Sequence, residues 1–279
     1  MAPRRLRLDA ELVRRSLARS REHAASLIAA GRVTVDGHVA RKPATGVGTD
    51  ADLVVKPARD SPDYVSRGGH KLAGALAVFG ERGLVVAGRR CLDAGASTGG
   101  FTDVLLRAGA AEVVAVDVGY GQLAWALRED PRVRVHERTN VRSVEPAQVG
   151  GPVDLVVGDL SFISLRVVLP ALSGCVRPDG DLVLMVKPQF EVGRDRLGKG
   201  GVVRDPDLRA EAVTGVVRAA GRLGWGARGV ATSVLPGPSG NVEYFCWLRH
   251  GPAVLTEAGI LAEVRRAQAP GYPGERLEP

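Results

Sequence analysis

The feature that most restricts the fold is an alternation of short apolar runs with helical stretches between residues 88 and 250. "GRRCLDAGA", "EVVAVDVG", "VDLVVGDLSF", "DLVLMVKPQF" and "VEYFCWLR" read as strands. "GGFTDVLLRAG", "GQLAWALRED" and "LRVVLPALSGCV" separate the first four as helices, and a further helix over about 205–223 precedes the last strand. Strands this apolar need cover on both faces, and helices that return the chain between them produce a mostly parallel sheet. The predicted class is therefore α/β. Ligands in such sheets bind beyond the carboxyl ends of the strands, near the point where strand order reverses.

One strand end is followed by Gly95, Ala96, Ser97, Thr98, Gly99 and Gly100, a run with almost no side-chain bulk before a helix that starts near Phe101. A ligand can approach the main chain there. Asp117, which ends the next strand, can accept hydrogen bonds from the hydroxyls of a ribose. The loop lacks the Gly-Lys-Ser/Thr ending of a triphosphate-binding loop. A dinucleotide and S-adenosylmethionine both remain as ligands. Ser97 stands where a dinucleotide loop has its middle glycine, and Asp93 suits a ligand that carries a cationic amino group, so S-adenosylmethionine is favoured.

The first 57 residues hold eleven Lys/Arg against six Asp/Glu, which accounts for +5 of the formal net charge of +7. Such an end suits a polyanion. Apolar Leu12, Leu17, Ala24, Leu27 and Ile28 recur at helical spacing, giving two short helices that part near Ser20, a candidate N-cap. "RVTVDGHVA" then alternates about an Asp36-Gly37 hairpin turn. Lysine occurs only five times among 38 basic residues, at 42, 56, 71, 187 and 199. Where arginine is used so freely, a retained lysine draws notice, because lysine can lose its proton and arginine cannot.

The polar stretch "KPARDSPD" separates this basic part from the rest. The division read from the sequence is a domain over 1–58, a linker over 59–65, a domain over 66–268 that ends in a helix at about 253–267, and a flexible tail over 269–279. Cys91, Cys175 and Cys246 are expected to be buried free thiols. The five histidines have no metal-ligand spacing, so no metal is expected. No run approaches the roughly 18–20 apolar residues of a membrane span, and the first residues lack a secretion leader. The expectation is a cytoplasmic protein, monomeric, with no membrane partner.

"RLDAELVRRSLARSREHAASLIAAGRVTVDG" with the following "KPA" resembles the small S-four-type RNA-binding domain, an α+β module that grips structured RNA. The resemblance implies RNA contacts from Arg4, Arg14, Arg15, Arg19, Arg21, Arg32, Arg41 and Lys42, joined by Arg67 and His70 just beyond. Lys71, Asp159, Lys187 and Glu243 resemble the Lys-Asp-Lys-Glu tetrad of FtsJ-type ribose 2'-O-methyltransferases. "SRGGHKL", "LDAGASTGGFTDVLL", "DVGYGQLAW", "DLSFISL", "VKPQFEVG", "GGVVRD" and "PSGNVEYF" extend the likeness to the TlyA family over nearly the whole chain.

That resemblance implies a Rossmann-like class I methyltransferase sheet with one antiparallel strand. It implies S-adenosylmethionine held by Asp93, Gly95, Ala96, Ser97, Thr98, Gly99, Phe101, Asp117, Val118, Gln122, Asp159 and Leu160. It also implies 2'-O-methylation of cytidine in 16S and 23S ribosomal RNA, a modification tied to capreomycin and viomycin susceptibility. In this scheme Lys187 is the general base, Asp159 and Glu243 orient it and the hydroxyl, and Lys71 holds the substrate ribose or phosphate. Tyr120 and Trp125 are candidates to stack on a base, and the glycine-rich basic segment 193–205 to close over one. The alternatives are a membrane-acting haemolysin, suggested by the label many family members carry, and an RNA-binding assembly factor with an inert methyltransferase domain.

Overall fold

The computed structural model describes residues 5–266 apart from 16, 19, 57–61 and 238. Arg4, Arg19, part of the expected linker and the tail over 269–279 lie outside the described residues. The chain divides into two compact units, Met1–Asp63 and Tyr64–Pro279.

The first unit runs β1 (Leu6–Arg7), α1 (Leu8–Arg14), α2 (Arg21–Ala29), β2 (Val33–Val35), β3 (His38–Val39), β4 (Gly46–Val47) and β5 (Leu53–Val55). Ser20 caps α2 by accepting the His23 N–H, as Ser at an N-cap does. Asp36 and Gly37 both take positive φ (49° and 80°), the left-handed pair that a two-residue hairpin between β2 and β3 requires. β2 is the centre of a three-stranded antiparallel sheet, β3-β2-β5. Leu8, Leu12, Leu27, Ile28 and Val33 make the core of this unit.

The second unit runs α3 (Arg67–Gly80), β6 (Arg90–Ala94), α4 (Gly100–Arg107), β7 (Glu112–Val116), α5 (Trp125–Arg128), β8 (Val133–His136), β9 (Val153–Gly158), α6 (Leu165–Gly174), β10 (Val176–Val186), α7 (Pro206–Arg222), β11 (Trp225–Thr232), β12 (Tyr244–His250) and α8 (Glu257–Arg266). Its sheet has the order β11-β12-β10-β9-β6-β7-β8. β12 is antiparallel to both neighbours and every other adjacent pair is parallel.

Successive strand residues go to opposite faces, as the period of two demands. Leu92, Val156 and Leu182 join a core with residues of α6, α7 and α8, whereas Cys91, Leu155 and Val183 join one with residues of α3 and α4. The three cysteines are free and buried, and burial pushes the Cys91 and Cys246 thiols up to about 12. From β6 the chain builds outward through β7 to β8, then crosses back to β9 on the other side. The reversal of strand order therefore falls between β6 and β9.

Several elements depart from the sequence reading. The helix over 121–130 is the single turn α5, because Gly121 has positive φ (68°) and Ala124 is extended (ψ 138°). The last helix begins at Glu257 rather than near 253. α3, β8 and β11 were not expected. β8 and β11 are the two sheet edges, where one neighbour suffices and "RVRVHER" and "GWGARGVATS" need no long apolar run.

Candidate active site

Gly95 turns the chain out of β6 with φ +84°, and a Cβ there would lie 2.9 Å from the Asp159 carbonyl oxygen. Conformation and space both require glycine. Gly99 precedes α4 with φ +97°, and a Cβ would lie 2.3 Å from Leu127 Cδ1. Between them the Ser97 N–H donates to Asp117 Oδ2 (2.8 Å), and the Gly119 N–H donates to Asp117 Oδ1 (2.6 Å). Asp117 thus ties the loop after β6 to the loop after β7. Ala96, Ser97, Asp117, Gly119, Gln122 and Glu137 line a narrow cleft beside it.

Val118, Tyr120 and Trp125 are exposed on the same edge, with the Arg138 guanidinium 4.5 Å over the Tyr120 ring. Asp93 sits beneath the loop rather than in a cavity wall. It is buried and accepts the Thr102 hydroxyl (2.7 Å), and burial pushes its carboxyl up to about 7.

α3 and α4 cross with their backbones in contact: a Cβ on Gly100 would lie 2.9 Å from the Gly69 nitrogen. This crossing places buried Lys71 beside the glycine loop. Lys71 Nζ is 2.5 Å from Glu243 Oε2. Glu243 precedes β12 and is fully buried. Burial raises its carboxyl above the ordinary range, against the pull of Lys71 and then Lys187. A Cβ on Gly237 would lie 2.6 Å from the other oxygen of Glu243, so glycine leaves it room.

Lys187 follows β10, with Nζ 2.6 Å from Asp159 Oδ1 and donating to Ser161 Oγ at 2.9 Å. Lys71, Lys187, Asp159, Gly95, Ala96, Ser97, Thr98 and Phe101 line one cavity of about 250 Å³, together with Ser66, Gly68 and Ser161. Glu243 meets that cavity through Lys71, and Leu160 packs against Gly95 at its rim. The two lysines are each paired with one carboxylate, so Glu243 belongs to Lys71 and Asp159 to Lys187. A roomier groove of about 430 Å³ lies along α7 and α8, where Arg218 is paired with Glu257 and Arg166 with Glu191.

Ser66, Ser161 and Phe162 were not singled out from the sequence. The two serines are ordinary in composition, and only position makes them part of the wall. Phe162 has positive φ (63°), is 91% exposed and lies 5.3 Å, centroid to centroid, from Phe190. An exposed Phe inside the quoted "DLSF" was the available signal.

In the first unit several expected RNA-contacting arginines hold the fold itself. Arg14 bonds Glu11 through two nitrogens (2.7 and 2.6 Å), and Arg21 bonds Asp9 (3.0 Å). Arg32 donates to the Lys56 carbonyl (2.9 Å). Arg15 departs furthest from expectation, because its guanidinium joins Glu11 to the carbonyls of Thr49 and Ala51. Arg41 and Lys42 are exposed. In the second unit Arg67 is exposed in the first turn of α3, and His70 meets Tyr64 edge-on at 5.1 Å.

Residues 64–250 match the FtsJ-like methyltransferase family, and residues 6–53 match the S4 domain. The 16S/23S rRNA (cytidine-2'-O)-methyltransferase TlyA of Mycobacterium tuberculosis is 61% identical over 269 residues, which are 96% of this chain and 99% of that protein. The chain belongs to the TlyA family of FtsJ-like methyltransferases. Hemolysin A of Brachyspira hyodysenteriae is 36% identical over 241 residues, 86% of this chain and 98% of its own. A solved structure described as a hemolysin from Streptococcus thermophilus has a TM-score of 0.74 at 38% identity, covering 96% of this chain and 97% of its own. No helix among the described residues is long and apolar enough to cross a membrane. The TlyA-family fold and the enzyme class that goes with it are those of a methyltransferase that uses S-adenosylmethionine.

Proposed function

We propose that this protein transfers a methyl group from S-adenosylmethionine to the 2'-hydroxyl of cytidine in ribosomal RNA. The observation that carries the reading is the pair of lysine–carboxylate contacts, Lys187–Asp159 and Lys71–Glu243, at a cavity floored by the glycine loop. The M. tuberculosis relative is named for 16S and 23S rRNA, and the same substrates are proposed here, with the protein acting as a cytoplasmic monomer on ribosomal subunits.

The residues present suit the cofactor. Asp117 offers further acceptor lone pairs at the end of β7, beside the narrow cleft between the loops after β6 and β7, for the hydroxyls of a ribose. The loop after β6 leaves its main chain open, and Asp159 adds a carboxylate near the methionine end. S-adenosylmethionine supplies a methyl carbon activated by a sulfonium.

The chain's own groups do the rest. A ribose hydroxyl is a poor nucleophile at neutral pH, so its proton must leave as the oxygen attacks. Lys187 takes that proton on Nζ, while Asp159 and Ser161 fix the direction of its nitrogen. Lys71, held by Glu243, puts a donor on the same cavity wall to grip the sugar or its phosphate. Holding the oxygen in line with the methyl carbon accounts for much of the rate, since orientation alone is worth several powers of ten. A cytidine inside a helix must leave its stack before its sugar edge is reached. Phe162 presents an aromatic face to such a base.

The S4 unit docks on folded RNA, with phosphate contacts that give affinity and register more than sequence choice. Arg41 and Lys42 are the exposed candidates for those contacts, and Arg67 of the second unit is an exposed candidate on its own.

The test is transfer of labelled methyl groups from S-adenosylmethionine to purified small and large subunits, with 2'-O-methyl positions mapped by primer extension. New stops at cytidines are expected, and Lys187→Ala should abolish them while still binding the cofactor by calorimetry. Wild-type turnover by Lys187→Ala would remove the assigned base. Failure of the wild-type protein to bind S-adenosylmethionine would instead favour an assembly factor.

A further inference from the structure

The segments that carry Asp159 and Lys187 leave the sheet side by side, since Leu184 of β10 stands opposite Gly158 of β9. A few residues later both reach Glu191, whose side chain is 2% exposed. Its Oε2 accepts the Ser164 hydroxyl at 2.6 Å, and its Oε1 accepts the Leu165 N–H at 2.7 Å. Arg166 Nε donates to Oε2 at 3.1 Å, and Arg166 Nη2 donates to the Glu191 carbonyl at 2.6 Å. A carboxylate 26 positions away in sequence thus closes the N-terminus of α6.

The result is a ring. Sheet hydrogen bonds hold the near ends of the two segments, and Glu191 holds their far ends. Three contacts span the space between: Lys187 to Asp159 at 2.6 Å, Lys187 to Ser161 at 2.9 Å, and Phe162 to Phe190 at 5.3 Å between centroids. Phe162 keeps an uncommon positive φ inside this ring, a conformation that its surroundings must impose.

We propose that Glu191 is a positioning residue for methyl transfer: by locking the "DLSF" segment to the "KPQF" segment it sets where the Lys187 amine stands relative to Asp159. The proposal rests on the reading of Lys187 as the base. Removal of the Glu191 carboxylate leaves the Ser164 hydroxyl and the Leu165 N–H without their acceptor, and leaves the Arg166 guanidinium only the Glu191 backbone carbonyl and Ser164 Oγ. It also loosens the far end of both segments to the single Arg166–Glu191 carbonyl bond, with Lys187 only four residues from the cut. Displacement of a reacting group by about 1 Å costs on the order of a hundredfold in rate.

A purely structural role for Glu191 would lower stability without touching the chemical step, so the readout is single-turnover transfer to ribosomal subunits at a temperature where every variant is folded. Glu191→Ala is expected to lower the transfer rate roughly 30-fold, with the KM for subunits and the Kd for S-adenosylmethionine moving less than about threefold. Glu191→Gln keeps one carbonyl acceptor and should recover part of that loss. Ser164→Ala, which cuts one end of the tie, should fall between Glu191→Gln and wild type.

The control is Asp181→Asn. It disrupts the buried acceptor of Arg89, Trp247 and Arg249 at the middle of β10 and should lower stability while leaving the rate within about twofold. If Glu191→Ala fails to fold, Glu191→Gln and Ser164→Ala decide the matter. Wild-type rates in those two variants, or a loss no greater than that of Asp181→Asn, would overturn the proposal. Activity in Lys187→Ala would instead overturn the base assignment itself.

Discussion

The Lys71 ammonium and the Glu243 carboxylate lie 2.5 Å apart, although 172 residues separate them in sequence, and both are buried. A buried ion pair tolerates loss of one partner poorly, because the survivor keeps its desolvation cost without compensation. Lys71→Ala is therefore expected to cost about 3–5 kcal/mol, a fall of about 10 °C in melting temperature for a domain of this size. The double change Lys71→Met with Glu243→Gln should recover most of that stability and none of the activity. Calorimetric melting and methyl transfer measured side by side decide it; a double variant no more stable than Lys71→Ala would refute the coupling.

Gly95 and Gly121 both have positive φ, +84° and +68°, but only Gly95 is crowded, by Leu160 and the Asp159 carbonyl. Gly121→Ala should cost only the conformational strain, about 1–2 kcal/mol, and leave cofactor affinity near wild type. Gly95→Ala should lose cofactor binding by at least about tenfold, because the loop and Asp159 must separate to admit the methyl group. Isothermal titration with S-adenosylmethionine distinguishes the two; equal affinities would show that the close approach is unimportant.

Asp117 accepts one backbone N–H on each carboxylate oxygen, from Ser97 and Gly119. Asparagine offers one acceptor and turns an N–H₂ toward the second donor. Asp117→Asn is expected to raise the Kd for S-adenosylmethionine by about tenfold or more while the rate at saturating cofactor stays within about threefold. A fall in the saturated rate with unchanged Kd would place Asp117 in the chemical step instead.

Hydrogen bonds from Arg14 and then Arg15 lower the Glu11 carboxyl from its usual 4.5 to about 2. A depressed folded value means that the ionised form favours folding above about pH 4.5, and that this contribution is lost as pH falls toward 2. Asp9, bonded to Arg7 and Arg21, shifts in the same direction. Amide exchange in residues 5–56 of the whole protein should accelerate across that window, and Glu11→Gln should flatten the dependence. Unchanged acid sensitivity in Glu11→Gln would show that the arginines act on something else.

Much of the larger unit could be read from the chain, because apolar runs over 90–94, 112–116, 153–158 and 181–186 leave no other way to cover four strands. The edges could not be read so well. β8 carries Arg134 in its middle and β11 carries Gly226 and Gly229, features an edge tolerates and local pattern rules do not reward. α3 also escaped notice, since its first turn, "RGGH", is a poor helix sequence that is held by the glycine contact with α4. The six described first-unit arginines and lysines expected to meet RNA looked alike in sequence, and only the fold separates Arg15, spent on Glu11 and two loop carbonyls, from exposed Arg41 and Lys42.

By itself the sequence determined the identities of Lys71, Asp159, Lys187 and Glu243, the glycines that turn the loop after β6, and the alternation that builds the sheet. These follow from residue type and local spacing, which are properties of the chain. Which lysine pairs with which carboxylate, the buried place of Asp93 beneath the loop, and the arrival of Ser66 and Ser161 on one wall were decided only by the tertiary structure. Those relations depend on distances across strands β9, β10 and β12 and on the α3–α4 crossing, set by packing between segments up to 172 residues apart.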